Sequence, residues 1–263
     1  MIRRTLALAS TLFLSSANAD KPVLALVVDD LGYSFEIAKQ VLNLPGQHTF
    51  AIIPETTYDK KIAEFAHQNG HEIMLHMPMQ SLARGKHVEL STLDEDMSED
   101  EITANVDNML KEVPYIRGIN NHMGSKLTGM GYIMRPIMES IKQFNTKFYF
   151  LDSRTTALSK AYQQALRAGV PSLKRDIFLD YDHTNPESIV FQYNLWLEKA
   201  SDNGSAIAIA HPYSSTIDIL QSKLTETTEN YQFMTLSQLL DYQQQEKTSW
   251  PTYLSHLQKD LKN

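Results

Sequence analysis

The chain has no cysteine among its 263 residues. Disulfide bonds and metal sites with thiolate ligands are therefore excluded, and a bound metal ion would have to use His, Asp or Glu side chains. A chain of this length can bury a core that is large enough to be stable without disulfides. The absence of cysteine thus limits the chemistry of the protein more than its stability.

Three glycine-containing motifs are also absent, namely G-x-G-x-x-G, G-x-x-x-x-G-K and G-x-S-x-G. The first two bind the phosphates of dinucleotides and nucleotides, and the third presents the nucleophilic serine of α/β-hydrolases. Their absence disfavours both nucleotide binding and a hydrolase with a serine nucleophile.

Positive charge is scarce as well, since the formal net charge is −7 at pH 7. An acidic chain is a poor electrostatic partner for nucleic acid and for anionic lipid. We therefore expect no nucleic-acid partner.

The first 19 residues have the pattern of a secretory signal peptide. Arg3 and Arg4 precede a short apolar stretch at 6–14, and Ala17-Asn18-Ala19 has the small-x-small cleavage pattern. The apolar stretch is shorter than the about 20 residues that span a bilayer, which disfavours the alternative of an uncleaved anchor. We expect export, with the periplasm of a Gram-negative bacterium as the compartment and no stable membrane insertion after cleavage.

The stretch from Val23 to Gly32 organises the rest of the chain. Six apolar residues run directly into Asp29 and Asp30, and a glycine follows. A continuous apolar run bounded by turn residues is typical of a parallel strand buried on both faces. Ligands in parallel α/β folds gather at the carboxyl ends of such strands. Taken alone, the two carboxylates could equally form a solvated turn in which Asp30 caps the next helix.

Apolar runs alternate with helical patterns through the remaining chain. We predict strands at 23–28, 48–53, 72–77, 118–122, 148–151, 171–174, 205–210 and 232–235. Helices are predicted between them, and a loop at 81–97 crosses the strand ends. The alternation favours one α/β domain at 20–247, an irregular (β/α) barrel of about seven to eight parallel strands, followed by a polar tail at 248–263. An open doubly wound sheet is the alternative.

Polar side chains follow most of these strands. The residues at the predicted strand ends are Asp29, Asp30, His76, Asn120, Asn121, His122, Asp152, Arg175, Asp176, Asp180 and His211. One carboxylate with two histidines is a normal ligand set for a catalytic metal ion. We predict that Asp30, His76 and His122 form it, that Asp29 acts as a base on the attacking water, and that His211 donates a proton to the leaving group.

The other histidines are predicted to be structural or solvated. His71 lies five residues before His76 on the same predicted strand, so the two side chains face opposite sides and do not share a metal ion. The remaining members of this group are His48, His67, His87, His183 and His256.

Five short motifs, in order, resemble the polysaccharide deacetylase superfamily, most closely its divergent branch. They occupy 28–30, 70–76, 118–125, 150–153 and 209–212, within a resemblance that covers about Lys21 to Leu240. The resemblance implies an irregular (β/α) barrel and the metal-assisted removal of N- or O-acetyl groups from a carbohydrate.

The resemblance also implies roles for individual residues. Asp29 matches the base and Asp30 a metal ligand, His76 matches the first metal histidine, and His211 matches the general acid. Asp152 matches the aspartate that supports this acid, although Asp176 is a second candidate.

Two features depart from the family pattern. Gln80 stands where the second metal histidine is usual, so His122 is the candidate third ligand. The Arg-x-Pro motif that orients the base is missing, and Arg175 is the candidate substitute.

The resulting hypothesis is an exported hydrolase that uses a divalent metal ion, Zn²⁺ by preference, to deacetylate a cell-envelope glycan. A metal- and glycan-binding protein without turnover is the alternative. A third hypothesis is a glycosidase that uses two barrel carboxylates, such as Asp152 and Asp180, and needs no metal.

Overall fold

The computed structural model describes residues 21–83 and 89–245. The predicted signal peptide, the polar tail and two of the histidines, His87 and His256, lie outside these residues. No helix within the described ranges has the length and apolar character needed to cross a bilayer.

Within the described ranges, nine strands form one sheet in which every pairing is parallel. The strands are β1 (Val23–Leu31), β2 (Thr49–Ile52), β3 (Glu72–Met79), β4 (Ile116–Met123), β5 (Tyr149–Asp152), β6 (Ser172–Lys174), β7 (Ile177–Phe178), β8 (Ser205–Ala210) and β9 (Gln232–Phe233). Their order is β6-β5-β4-β3-β2-β1-β8-β7, and β9 pairs with the start of β1. The predicted irregular barrel of parallel strands is therefore confirmed, with β7 as a strand that the sequence pattern did not indicate.

Helices follow most of the strands. They are α1 (Phe35–Leu42), α2 (Asp59–Gln68), α3 (Glu99–Glu112), α4 (Gly131–Phe144), α5 (Ala161–Ala168), α6 (Pro186–Asn203) and α7 (Ser214–Thr227), with a further helical stretch at 236–245. The capping signals in the sequence are used as expected. Ser98 and Glu101 form a capping box at the start of α3, and Asn185 caps α6 ahead of Pro186.

The two ends of the strand order, β6 and β7, meet at a two-residue connection. The backbone N–H of Arg175 donates to the carbonyl of Asp152 on β5 (3.0 Å), and that of Asp176 donates to Ile207 on β8 (2.9 Å). The Asp176 carboxylate in turn accepts the backbone N–H of Ile207 (2.9 Å). This connection therefore brings the edges of the sheet together.

Alternate residues of the strands enter two apolar clusters. On β1, Leu24, Leu26 and Val28 pack with the surrounding helices, whereas Val23, Ala25 and Val27 fill the barrel interior. The interior cluster also contains Met74, Tyr149, Leu151, Ile207 and Ile209. Because side chains alternate along a strand, this pattern decides which polar residues near the strand ends face the interior.

A candidate metal centre at the carboxyl ends of the strands

Because side chains point alternately to the two faces of a strand, one set of polar side chains points into the mouth of the barrel. Each lies two residues beyond, or in line with, a residue of β1, β3, β4, β5 or β8 that faces the barrel interior. The six residues are Asp29, His76, Asn120, His122, Ser153 and His211. All six lie where the parallel strands end, so residues far apart in the chain share one cleft.

A bulge allows the neighbouring residues Asp29 and Asp30 to serve the same site. Simple alternation would point Asp30 away from the interior. The register between β1 and β2 shifts between Val28 and Leu31, and Asp30 has a left-handed backbone with φ of 60°. Non-glycine residues rarely adopt this conformation, and bulges are known to re-aim side chains beside active sites.

Asp30, His76 and His122 place their ligand atoms together, as the sequence predicted. The Oδ1 atom of Asp30 lies 3.0 Å from Nε2 of His76 and 2.9 Å from Nδ1 of His122. The two ring nitrogens are 3.2 Å apart. Ligand atoms at about 2.1 Å from a tetrahedral zinc ion would lie about 3.4 Å from one another, so the spacing suits a small divalent ion.

The hydrogen bonds around His76 also fit a cation at this point. Asn120 donates its Nδ2 to Oδ1 of Asp29 (2.8 Å), which leaves its Oδ1 to accept a hydrogen bond from Nδ1 of His76 (2.7 Å). With Nδ1 donating to Asn120, Nε2 can turn its lone pair toward the Asp30 carboxylate, an arrangement of two acceptors that a shared cation stabilises.

His122 has a carboxylate on its far side. Its Nε2 lies 3.4 Å from Oε1 of Glu89, and the same oxygen accepts a hydrogen bond from the Tyr33 hydroxyl (2.9 Å). Burial opposes a charge on His122, but its contacts with Asp30 and Glu89 outweigh burial and raise its pKa to about 10. The site thus attracts positive charge, either a proton or a metal ion. Sequence reasoning missed both Glu89 and Tyr33, since neither lies at a strand end.

Asp29 and Asp30 have pKa values that move in opposite directions. Burial raises the pKa of Asp29, which is 2% exposed, despite its neighbour His76. Burial also acts on Asp30, but its contacts with the imidazoles of His122 and His76 outweigh it and hold the pKa of Asp30 well below its usual range. Two adjacent carboxylates with separated pKa values suit separate roles, a ligand and a proton acceptor.

The residue that donates a hydrogen bond to Asp29 is Asn120, and not Arg175 as predicted. The Arg175 guanidinium instead donates from Nε to the carbonyl of Ser153 (2.6 Å) and from Nη2 to that of Arg154 (2.8 Å). It lies over the ring of Phe178. The prediction was wrong about the partner because β4 pairs with β3 in a register that sets Asn120 opposite His76.

Asp180 is the aspartate that supports His211. One carboxylate oxygen lies 2.9 Å from Nδ1 of His211, and the other accepts the backbone N–H of His211 (2.6 Å) and the Thr216 hydroxyl (3.0 Å). Burial opposes protonation of His211, but the hydrogen bond with Asp180 outweighs it and raises the pKa of His211 to about 9. Its Nε2 lies 3.9 Å from Oδ2 of Asp30, so a protonated His211 faces the proposed metal ligands.

The two residues predicted to support His211 have other partners. Asp152 shares the outward alternation of Phe150, and its carboxylate accepts the backbone N–H of Arg154 (2.9 Å) and the Ser159 hydroxyl (2.8 Å). Asp176 is bound to the backbone of β8. The prediction that Asp152 or Asp176 supports His211 was wrong, because position at a strand end does not by itself fix the direction in which a side chain points.

The cleft over these residues has a volume of about 460 Å³. Beyond the residues already described, it is lined by Asn121, Met123, Ser153, Arg154, Thr155, Tyr181, His183, Ile209 and Tyr213. His183 is stacked on Tyr213 with ring centroids 4.0 Å apart, so it belongs to the cleft wall. His48 and His71 hydrogen-bond to the carbonyls of Pro45 and Leu42 and are structural, as predicted.

Comparisons with known proteins agree with this architecture. The family model of the divergent polysaccharide deacetylases matches residues 26–240. The uncharacterized protein YibQ of Escherichia coli (strain K12) is 38% identical over 250 residues, which is 95% of this chain and 76% of that protein.

Two solved structures share the fold. The uncharacterized protein ATU2773 from Agrobacterium tumefaciens C58 has a TM-score of 0.78 at 21% identity, over 85% of this chain and 91% of that chain. A mutant of BA3943, a CE4 family pseudoenzyme with restored enzymatic activity, has a TM-score of 0.51 at 16% identity, over 84% of this chain and 68% of that chain. At these identities the likeness bears on the fold alone.

Proposed function

Because the chain belongs to the divergent polysaccharide deacetylase family, we propose that it is a metal-dependent hydrolase that removes N- or O-acetyl groups from a glycan. The observation that carries the proposal is the convergence of Asp30, His76 and His122, flanked by Asp29 and His211. These side chains, rather than the fold and the family alone, support the proposed activity.

Asp30, His76 and His122 would hold the metal ion, with Zn²⁺ favoured by a ligand set of two imidazoles and one carboxylate. The ion would supply Lewis acidity, which activates water and stabilises negative charge on the acyl oxygen.

Asp29 is the proposed general base. It is buried against His76, at 3.7 Å from its Nε2, and Asn120 orients one of its carboxylate oxygens. A carboxylate whose pKa is raised by burial accepts a proton more readily at neutral pH, as a base for the attacking water must.

His211 is the proposed general acid. Its imidazole is held by Asp180 and is protonated at neutral pH, so it can give its Nε2 proton to the leaving amine or alcohol. The two proton-transfer groups thereby come from neighbouring strands, β1 and the end of β8.

Gln80 does not take the place of the missing second histidine. Its backbone N–H and carbonyl bind the backbone of Leu93 and of Lys126, and its side chain accepts the backbone N–H of Glu95 (3.2 Å). Gln80 therefore holds the loop that carries Glu89, while His122 supplies the third ligand atom.

The alternative glycosidase mechanism lacks its pair of carboxylates. Asp180 faces His211, but Asp152 points toward the start of α5. The remaining alternative is a protein that binds metal and glycan without turnover. Export to the periplasm is part of the proposal and rests on the signal-peptide pattern at 1–19.

The experiment combines metal analysis with acetate release. We expect about one zinc ion per chain and acetate release from acetylated amino sugars that stops on chelation. His122→Ala should lose the metal, whereas Asp29→Asn should keep the metal and lose activity. A native protein that binds no divalent metal would refute the proposal, and a metal-loaded protein that releases no acetate from any such sugar would support the binding protein.

A further inference from the structure

The turn that follows β5 is held rigidly and lines the cleft beside the metal centre. The backbone N–H of Ser153 donates to Asn121 (3.0 Å), and that of Arg154 donates to Asp152 (2.9 Å). The carbonyls of Ser153 and Arg154 both accept from the Arg175 guanidinium. Each of these two residues is therefore fixed through both of its backbone polar groups.

Arg154 is held there in an unfavourable backbone conformation. Its φ is 50°, in the left-handed region that non-glycine residues rarely occupy. Surrounding structure must overdetermine such a residue, and strain of this kind concentrates at ligand-binding sites.

Two side chains on this turn lack partners. The exposed Arg154 guanidinium has no hydrogen bond or ion pair to any residue in the ranges 21–83 and 89–245, although Asp29 and Asp30 line the same cleft. The Ser153 hydroxyl is buried without a hydrogen-bond partner among those residues. A buried hydroxyl without a partner is costly, and a ligand that supplies one removes this cost.

The other charged side chains of the cleft have hydrogen-bond partners: Asp29 accepts from Asn120, and Arg175 donates to the carbonyls of Ser153 and Arg154. His211 faces Asp180, and Asp30 faces His76 and His122. The guanidinium of Arg154 is thus the unmatched charge of a turn whose geometry is fixed before any ligand binds. A planar guanidinium suits a carboxylate, which can accept two parallel hydrogen bonds from it.

We propose that Ser153 and Arg154 form a subsite for a carboxylate carried by the acetylated glycan, so that the preferred substrate is an acidic acetylated sugar rather than a neutral one. This inference rests on the proposed function, since it takes the acetyl group to lie at the metal centre. It adds the chemical class of the substrate.

The test compares two acetylated amino sugars: N-acetylmuramic acid, which carries a carboxylate on a 3-O-lactyl group, and N-acetylglucosamine, which lacks this group. Dissociation constants are measured by NMR titration of the zinc-loaded protein, followed through backbone amide signals of cleft residues that the wild type and the variants share. We expect N-acetylmuramic acid to bind about tenfold more tightly, and Arg154→Gln to abolish this preference. The matched control is Arg167→Gln, since Arg167 is an exposed arginine on α5 outside the cleft, and this variant should keep the preference.

Ser153→Ala provides a second variant. Because the hydroxyl has no hydrogen-bond partner among the described residues, its removal should not lower the unfolding temperature, but it should weaken binding of the acidic sugar. Equal affinities for the two sugars in the wild-type protein, or a preference that survives in Arg154→Gln, would overturn the subsite.

Acetate release is followed on the same samples, so that the two proposals fail separately. Equal binding of both sugars together with acetate release would overturn only the acidic subsite. A preference lost in Arg154→Gln but without acetate release from either sugar would support the subsite and count against the hydrolase.

Discussion

Replacing Asn120 by aspartate should separate metal binding from proton transfer. Asn120 is fully buried, and its amide joins the proposed base to a proposed ligand, donating to Asp29 at 2.8 Å and accepting from His76 at 2.7 Å. In Asn120→Asp, a carboxylate oxygen replaces the amide nitrogen that faces Asp29. The other carboxylate oxygen would still accept the hydrogen bond from Nδ1 of His76.

The magnitude follows from the distance between the two groups. Two carboxylate oxygens at the 2.8 Å separation of the present contact would repel by about 6 kcal/mol at an effective dielectric constant of about 20. This corresponds to roughly 4 pKa units, so the pair would retain a proton at neutral pH. The pH at which the base becomes competent should rise by well over one unit, with the shift belonging to the coupled pair.

The assay is the pH dependence of kcat/KM for acetate release, combined with zinc affinity from chelator competition. We expect Asn120→Asp to bind zinc as tightly as the wild type, because a carboxylate partner supports a ligating imidazole. Asn120→Ala should instead lose about 10- to 100-fold in zinc affinity, since it leaves Nδ1 of His76 without its acceptor.

Asn121 offers a matched control on the same strand. It is also buried, but its amide contacts the backbone of Met123 and of Ser153. Asn121→Asp should therefore leave zinc affinity and the rising limb of the pH profile in place. If Asn120→Asp left that limb unmoved, or if Asn120→Ala bound zinc like the wild type, the reasoning about this amide would be refuted.

Three further predictions concern other parts of the site and the fold. Burial opposes charge on His211, but Asp180 raises its pKa to about 9, and the acid form is lost as pH rises through this value. Asp180→Asn should therefore move the falling limb of the kcat/KM profile to lower pH. An unmoved limb would contradict the assignment. Glu89→Gln removes the carboxylate beside His122 and should weaken zinc binding by about tenfold in chelator competition, whereas unchanged affinity would show that Glu89 does not orient the ligand. Gly118→Ala would place a methyl group into the ring of Tyr149, whose hydroxyl is held by a hydrogen bond to Glu72. It should destabilise the fold by about 1–3 kcal/mol, measured by thermal unfolding. Gly129→Ala is the tolerated control, since its new methyl carbon would meet its nearest neighbour at 3.8 Å.

The general architecture could be predicted because it depends on local patterns. Apolar runs of strand length alternate with helical periodicity, and turn and capping residues separate them. The strand that was missed, β7, has only two residues and therefore shows no period of its own.

The predicted metal ligands were brought together for a similarly simple reason. In a parallel sheet the carboxyl ends of all strands lie at one face, so Asp30, His76 and His122 were expected at the same end of the barrel, where the structure has them. The same rule could not separate Asp152 from Asp180, since both lie near strand ends. Applying the period of two to β5 would have done so, because Tyr149 and Leu151 face the interior and Asp152 therefore faces out.

The sequence by itself determined the alternation of strands and helices, the types of donor atom available without cysteine, and the end of the barrel at which they would gather. Only the tertiary structure decided which side chains touch. The bulge after Val28 turned Asp30 into the site, and the register of β3 against β4 placed Asn120 beside His76. Such contacts depend on register shifts and left-handed residues, which are set by packing between distant segments and leave no periodic signal in the chain.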